Sequence, residues 1–471
     1  MATPNTHYGA EQIRKMLASA ESVFFIGVGG INMSSLAQLT QRQGFRVGGS
    51  DRTRSALTER LENEGISIVY EHKKENIDAY DAVVYTVAIS PENEEYLCAK
   101  ERGIPCISRA DYLGYLMTDY ERRIGISGMH GKSSCTSMCA QVLLSANASP
   151  TVLSGAELRA MGGAYCLGES ENFVFEACES MDSFLDFNPN IAIVLNIEMD
   201  HVDYFHSMEQ IRTSFAAYAA KTGKDGFAVV NGDDEEVERA LSDYEGTRVR
   251  FGIENRACEY LAKNLSCESG RWSFDLFERG ELLCHVRLSV VGRHQIYNAL
   301  ATAAACRLCG LSGEEISRGL AEFSGAHRRM ERKGSMQGAE VYDDYGHHPT
   351  EIIATLSGAR AIPAEGGRLF CVYQPHTYSR TAALLDEFSK AFVDADRVLL
   401  VDIYAARETD TLGVSSKLLA ERVGEKADYA GSVENAAEML RRELREGDAV
   451  IVMGAGNIDR IFTVLEKDIK K

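Results

Sequence analysis

Residues 125–135 read Gly-Ile-Ser-Gly-Met-His-Gly-Lys-Ser-Ser-Cys, and no other stretch of this 471-residue chain restricts its fold as strongly. Ahead of it, Arg122-Arg123-Ile124-Gly125-Ile126 has the pattern of a strand end. Behind it, Cys135 to Ser145 carries helix-forming apolar residues, so the loop is predicted to sit at a helix N-terminus. There the unpaired backbone N–H groups and the positive dipole end favour phosphate. Lys132 adds a mobile positive charge for terminal phosphates, and a hydroxyl from Ser133 or Ser134 can ligate Mg²⁺. A strand–loop–helix unit of this kind belongs to an open α/β sheet, in which ligands gather at the carboxyl ends of the strands. The match to the phosphate-loop pattern is incomplete, because its first glycine would fall on Ile126. The competing reading is a plain glycine turn.

The chain is too long for one hydrophobic core, and about three domains is the natural division. A net charge of −19 argues against a nucleic-acid partner, which calls for a basic face. Residues 121–325 are the most acidic part, with 18 Lys and Arg against 29 Asp and Glu. Around an anionic triphosphate such a surface makes a divalent cation more necessary. No apolar run approaches the length of a membrane span, and the N-terminus lacks the pattern of an export signal. Twelve cysteines are scattered without paired spacing, which suits a reducing cytoplasm. Cys306-Arg307-Leu308-Cys309 stands alone on an alanine-rich helical stretch and reads as buried thiols rather than zinc ligands.

The first segment, 1–120, alternates strand and helix signals in a parallel, doubly wound pattern. Strands are expected at Val23 to Gly27, Phe45 to Asp51, Ala82 to Tyr85 and Pro105 to Ile107. The second, 121–325, begins with the phosphate loop and has strands at Phe173 to Phe175 and Ile191 to Val194. Alternating runs from Glu259 to Val291 then read as an antiparallel meander, closed by a helix from Gln295 to Leu308. The third, 326–471, repeats the α/β pattern, with strands at Leu369 to Tyr373, Val398 to Ile403 and Ala449 to Met453.

Polar clusters follow several of these strands. Gly27-Val28-Gly29-Gly30 fits the first glycines of a dinucleotide turn, and Asp51 lies 24 residues beyond Gly27, near the spacing of a ribose-binding acid. A nucleotide, a nucleotide sugar or a structural turn all satisfy it. Glu176-Ala177-Cys178-Glu179-Ser180-Met181-Asp182 and Asn196-Ile197-Glu198-Met199-Asp200-His201 each follow an apolar strand on the edge that holds the phosphate loop. Carboxylate and imidazole there could ligate Mg²⁺, with a solvated charge as the alternative for Glu179 and Asp182. Asn298 offers the donors and acceptor that suit an adenine edge, although spacing alone favours a helix cap. Asp343 to Glu351, with His347 and His348, and Gln374 to Thr381, with His376 and Arg380, suit an anionic small molecule. Zinc at the paired histidines is a weaker reading.

Taken together, these stretches resemble the ATP-dependent Mur ligases, which build the peptide stem of peptidoglycan. The resemblance runs from about residue 20 to 460. It rests on residues 128–134, 176–180, 196–201, 344–351 and 374–381. It implies three domains: an N-terminal Rossmann-like domain binding UDP, a central ATPase domain with a parallel sheet plus a small antiparallel sheet, and a C-terminal Rossmann-like domain. It further implies ligation of L-alanine to UDP-N-acetylmuramate with MgATP, in a cytoplasmic bacterial enzyme that is a monomer or homodimer. Under it, Gly27, Gly29, Gly30 and Asp51 hold the UDP substrate. Gly128, Met129, His130, Gly131, Lys132, Ser133, Ser134, Gln295 and Asn298 hold ATP, and Ser133, Glu176 and His201 surround magnesium. Tyr345, His348, His376 and Arg380 line the amino-acid site, and Lys132, Glu176, His201, His348 and Arg380 carry the chemistry. His201 and His348 remain alternatives for the base. Met129, Cys178 and Thr377 depart from residues common in the family at those places. The alternatives are a tripeptide-recycling ligase of the same family and a dehydrogenase-like nucleotide-binding protein.

Overall fold

The fold is described from a computed structural model covering residues 3–201, 204–268, 270–406, 408–410 and 412–470. Apolar strands and glycine turns alternate at the start of the chain and build a five-stranded parallel sheet. Its strands are β1 (Ser22–Ile26), β2 (Arg46–Ser50), β3 (Ser67–Val69), β4 (Ala82–Tyr85) and β5 (Cys106–Ser108), ordered β3-β2-β1-β4-β5. All of β1 and β4 is buried, as expected of parallel strands covered on both faces. Strand order reverses between β1 and β4, so a crevice opens beyond their carboxyl ends, where the Gly27–Gly30 turn lies.

The central sheet has ten strands. They are β6 (Arg122–Ser127), β7 (Thr151–Leu158), β8 (Gly163–Cys166), β9 (Asn172–Glu176), β10 (Ile191–Val194), β11 (Phe227–Asn231), β12 (Thr247–Gly252), β13 (Tyr260–Glu268), β14 (Arg271–Glu278) and β15 (Glu281–Val291). The order is β15-β14-β13-β12-β11-β10-β6-β9-β7-β8. The expected parallel sheet and small antiparallel sheet are both present, joined edge to edge. Phe251 and Gly252 of β12 pair in parallel with Tyr260 and Leu261 of β13, so the meander β13–β15 extends the same sheet. The phosphate loop follows β6, which β10 and β9 flank in parallel. Residues after these three strands therefore share one rim.

The last sheet contains β16 (Glu331–Met336), β17 (Ala339–Asp344), β18 (Leu369–Tyr373), β19 (Arg397–Val401), β20 (Ala427–Gly431) and β21 (Ala449–Met453). Its order is β16-β17-β21-β18-β19-β20, parallel except for the β16–β17 hairpin. The Asp343–Glu351 and Gln374–Thr381 clusters leave β17 and β18 at the same end. All twelve cysteines are free thiols. Among the described residues no helix is long and apolar enough to cross a membrane.

One apolar cluster runs without a break from the first sheet into the central one, joining Phe25 and Tyr112 to Phe173, Phe184 and Tyr218. The helix Arg109–Leu116 makes the contact. Asn188 donates its amide to the Gly114 carbonyl at 2.9 Å, and a Cβ on Gly114 would lie 2.0 Å from the Asp186 carbonyl oxygen. Helix propensity alone predicts that Gly114→Ala stabilises by roughly 1 kcal/mol. Overpacking against backbone costs roughly 1–3 kcal/mol, so thermal unfolding of the full chain is expected to show a net loss. Gly163→Ala, with nothing within 4 Å of its new methyl, should leave Tm nearly unchanged.

Candidate active site

Two glycines give the phosphate loop its path. Gly131 caps the helix Lys132–Ser145 at φ +83°, and Gly128 has φ +140° with the Asn196 amide nitrogen 3.2 Å from where a Cβ would stand. Asn196 holds the loop by both ends of its amide, accepting from His130 N at 2.8 Å and donating to His130 O at 3.0 Å. Met129 turns into the apolar core, 4% exposed, so this departure leaves the backbone cradle intact.

Lys132 folds back over its own loop. Its ammonium donates to the carbonyls of Gly128 (2.6 Å) and Met129 (3.1 Å) and reaches Glu179 Oε2 at 2.9 Å. Glu179 has no exposed surface, and His201 Nε2 lies 3.0 Å from its other oxygen. Burial pushes the Glu179 pKa up, but Lys132 and His201 together hold it below the usual carboxylate range. Burial likewise opposes the Lys132 charge, and Glu179 more than offsets it, leaving a raised pKa. The carboxylate joined to Lys132 and His201 is therefore Glu179, whereas Glu176 accepts from Gly155 N at 2.9 Å. This corrects the solvated-charge alternative for Glu179 and places Glu176 one step aside. Asp182 is also bound, by the hydroxyls of Tyr204 (2.6 Å) and Ser214. Met181, Asp182 and His201 hold left-handed φ angles of 53°, 55° and 48°, a strain concentrated where the chain turns these groups inward.

A cavity of about 330 Å³ opens between the central and C-terminal sheets, lined by Ser134, Asn196, Gln295, Asn298, Arg329 and Glu351 among others. Asn298 donates to Gln295 Oε1 at 3.0 Å, so the two amides form one buried polar pair. Arg329 crosses from the C-terminal part to donate to Ser133 Oγ at 3.3 Å. His130 lies between Glu198, which contacts its Nε2, and Glu351, 3.2 Å from its Nδ1. Burial works against its charge, yet these carboxylates hold its pKa at about 10. Its ring lies 5.0 Å from that of His348.

His348 caps the helix Pro349–Ala359, its Nδ1 accepting from Thr350 N at 3.3 Å. The neutral ring then carries its proton on Nε2, which is buried without a partner. His130, Glu198 and His348 are close enough to surround an ion, but this tautomer turns a proton, not a lone pair, from His348 Nε2. The zinc reading of the paired histidines is also set aside. Asp344 is used by the amides of Gly346 and Met330, each at 2.8 Å, and Asp343 lies 3.5 Å from Arg328.

Arg380 Nη2 donates to Asp200 Oδ1 at 3.3 Å, tying the loop after β18 to the segment that bears His201. Burial raises the Asp200 pKa, but Arg380 outweighs it and brings it to about 2. His376 Nδ1 is 3.5 Å from Arg380 Nη1, and its ring stacks on Tyr404 and lies 5.7 Å from His347. Tyr345 packs edge-on to His347, beneath the guanidinium groups of Arg328 and Arg329. The loops bearing Tyr345, His348, His376 and Arg380 thus leave one rim. Thr377, at φ 64°, caps the short helix that carries Arg380.

The first turn has internal contacts of its own. Asp51 Oδ2 accepts from Gly29 N at 2.9 Å, and a Cβ on Gly29 would stand 2.8 Å from that oxygen and 2.9 Å from Thr58 Cγ2. Asp51 therefore braces the turn, and Gly29 is required by the protein's own packing. Gly27 has φ +82°, and Gly30 precedes the helix Ile31–Arg42. Asn196, Asp200 and Glu351 lay within clusters singled out from the sequence but received no individual role, and Arg329 was not singled out. Their long-range partners lie far along the chain, from 66 residues for Asn196 with His130 to 196 for Arg329 with Ser133 and further still for Glu351 with His130, so no spacing signalled them.

Three family models match in order: the Mur ligase family catalytic domain over residues 22–121, the Mur ligase middle domain over 126–306, and the Mur ligase glutamate ligase domain over 328–456. The UDP-N-acetylmuramate–L-alanine ligase of Caldanaerobacter subterraneus is 43% identical over 97% of this chain and 99% of its own length. That of Acetivibrio thermocellus is 43% identical over 95% of this chain and 96% of its own. The solved UDP-N-acetylmuramate–alanine ligase of Thermotoga maritima superposes with a TM-score of 0.76 at 26% identity, covering 95% of this chain and 99% of that one.

The His130 cluster has a pH signature. Its folded pKa of about 10 exceeds an unfolded value near 6.5, so the native state binds the extra proton between those limits. The stability this provides is complete below about pH 6.5 and is lost as pH rises through about 10. The Tm difference between wild type and His130→Gln should therefore shrink across that window. A difference that grows would contradict the assignment.

Proposed function

The chain belongs to the Mur ligase family, and we propose that it joins L-alanine to the lactyl carboxylate of UDP-N-acetylmuramate, converting ATP to ADP and phosphate. One observation supports this most. The rims of the central and C-terminal sheets meet at Lys132, Glu179 and His201 on one side and Arg380 and the His347–His348 loop on the other, joined through Asp200.

A carboxylate is a poor electrophile. Its oxygen attacks the γ-phosphorus of ATP, the bond to the β-phosphate oxygen breaks, and an acyl phosphate and ADP form. The alanine amine then attacks the acyl carbon and phosphate departs. Lys132 supplies charge to the transferring phosphoryl group, and the loop amides cradle the phosphates. Arg329 on Ser133 and Arg380 on Asp200 draw the C-terminal part over the site, which excludes water from the acyl phosphate. Ser133, Glu176 and His201 would hold a magnesium ion through hydroxyl, carboxylate and imidazole, and when bound it would supply further neutralisation of phosphate charge. His201 is the better base of the two histidines. With its Nε2 proton held by Glu179, Nδ1 keeps its lone pair, whereas His348 presents a proton.

Phosphate release from ATP should require UDP-N-acetylmuramate and alanine together. Replacement of alanine by a muramyl tripeptide side chain as the better substrate, or tight NAD binding, would contradict the reading. Lys132→Ala should lower turnover by about 10²–10³. Because it strips Glu179 of a buried partner, Lys132→Ala/Glu179→Gln should fold better than the single variant and remain as inactive. Arg380→Lys keeps the charge but loses the planar fork, so the alanine KM should rise at least about tenfold while that of ATP moves little. An unchanged alanine KM would remove Arg380 from the amino-acid site.

A further inference from the structure

Arg109 has no place in the chemistry described so far. It is the first residue of the helix Arg109–Leu116, directly after β5, on the rim of the first sheet that also carries the Gly27–Gly30 turn. The same helix lies against the central-domain segment 184–188 through Gly114 and Met117. Arg109 therefore stands in the seam between the first-domain turn and the segment that begins at Glu179.

Its guanidinium is half-buried, yet among the described residues no group accepts a hydrogen bond from it and no carboxylate lies within the 4.0 Å of an ion pair. Other partly buried arginines are matched. Arg123 donates to the carbonyls of Asn188 and Tyr120, Arg328 to that of Gly454, and Arg368 to Asp448. The carboxylates nearest along the seam are already in use. Asp186 faces His7 Nδ1 at 2.9 Å, and Asp111 accepts from Tyr8 N at 2.9 Å and from Thr6. Burial lowers the Arg109 pKa, with Cys178 and Asp186 too weak to restore it. A cation kept short of partners in a seam carries a free-energy cost that an incoming anion would relieve.

Resting on the function proposed above, we infer that Arg109 holds an oxyanion of the nucleotide-sugar substrate as it spans from the first domain to the phosphate loop. Two groups of that substrate have this chemistry: the diphosphate and the lactyl carboxylate. Both must cross this seam if UDP sits at the glycine turn while the carboxylate reaches Lys132.

The test compares wild type, Arg109→Met and Arg109→Lys as full-length protein, by calorimetry and initial rates. Arg109→Met should raise the Kd and KM for UDP-N-acetylmuramate at least about tenfold, with Arg109→Lys recovering part of the loss. The KM values for ATP and alanine should stay within about twofold. Without substrate, Tm of Arg109→Met should equal or exceed that of wild type, whereas a purely structural arginine would lower it. UDP-N-acetylglucosamine, which has the diphosphate but no lactyl carboxylate, identifies the anion. Weakened binding of both nucleotide sugars assigns the diphosphate, and weakening of UDP-N-acetylmuramate alone assigns the carboxylate. If wild type binds UDP-N-acetylmuramate and a folded Arg109→Met binds it equally well, the inference fails alone. If wild type itself does not bind it, the functional reading fails first.

Discussion

The buried contact of Lys132 with Glu179 and His201 is the constraint on which the rest of the site depends. A lysine at the start of a phosphate loop is of use only if its charge survives burial, and a carboxylate with no exposed surface survives only if it is matched. Each supplies what the other lacks. Removing one partner leaves an uncompensated charge, typically at a cost of about 3–5 kcal/mol. That cost explains the tolerance of left-handed backbone at Met181, Asp182 and His201. The strain lies in the turns that flank Glu179 and His201, which meet each other and, through Glu179, the ammonium. It also sets a condition on catalysis, because a triphosphate entering the loop must compete with Glu179 and two loop carbonyls for the same three protons.

The C-terminal domain meets this cluster through charge as well as shape. Arg380 on Asp200, Arg329 on Ser133, Thr350 on Glu198 and Glu351 on His130 all cross between the two sheets. Apart from the exposed Thr350, each partner is partly shielded from water, so the charged contacts among them are worth more than surface ion pairs and are screened less by salt. They also couple the sites. A ligand that pulls Arg380 from Asp200 alters the segment holding His201, and hence Glu179 and Lys132. Positioning of three substrates is the main burden of such an enzyme, and this chain of contacts provides a physical route for it.

Much of this was legible in the sequence, for definable reasons. The phosphate loop, the strands Ile191–Val194, Leu369–Tyr373 and Ala449–Met453, and the helix closing the meander were all visible, because apolar runs bounded by glycine leave little choice. The rim position of Lys132, His201, Tyr345, His376 and Arg380 followed from their places after strands. What could not be read was which of two nearby carboxylates turns inward. Glu176 ends β9 and Glu179 lies three residues further on, before a strained turn that fixes the answer. Asp51 shows the same limit. Its spacing from Gly27 suited a ribose, and the brace that one of its oxygens forms with Gly29 N is a contact that only the folded turn reveals. Continuity of the central sheet depended on a two-residue pairing between β12 and β13, too short to leave a pattern.

The proposed reaction turns on attack by a carboxylate oxygen of the sugar substrate at the γ-phosphorus of ATP within this site. The most direct measurement uses UDP-N-acetylmuramate labelled with ¹⁸O in both oxygens of its lactyl carboxylate, turned over with ATP and L-alanine, followed by mass analysis of the phosphate released. An acyl phosphate carries one of those oxygens as its bridge and gives it up with the leaving group. Each phosphate should therefore contain one ¹⁸O, and the amide product should retain the other. Unlabelled phosphate from labelled substrate would contradict the account.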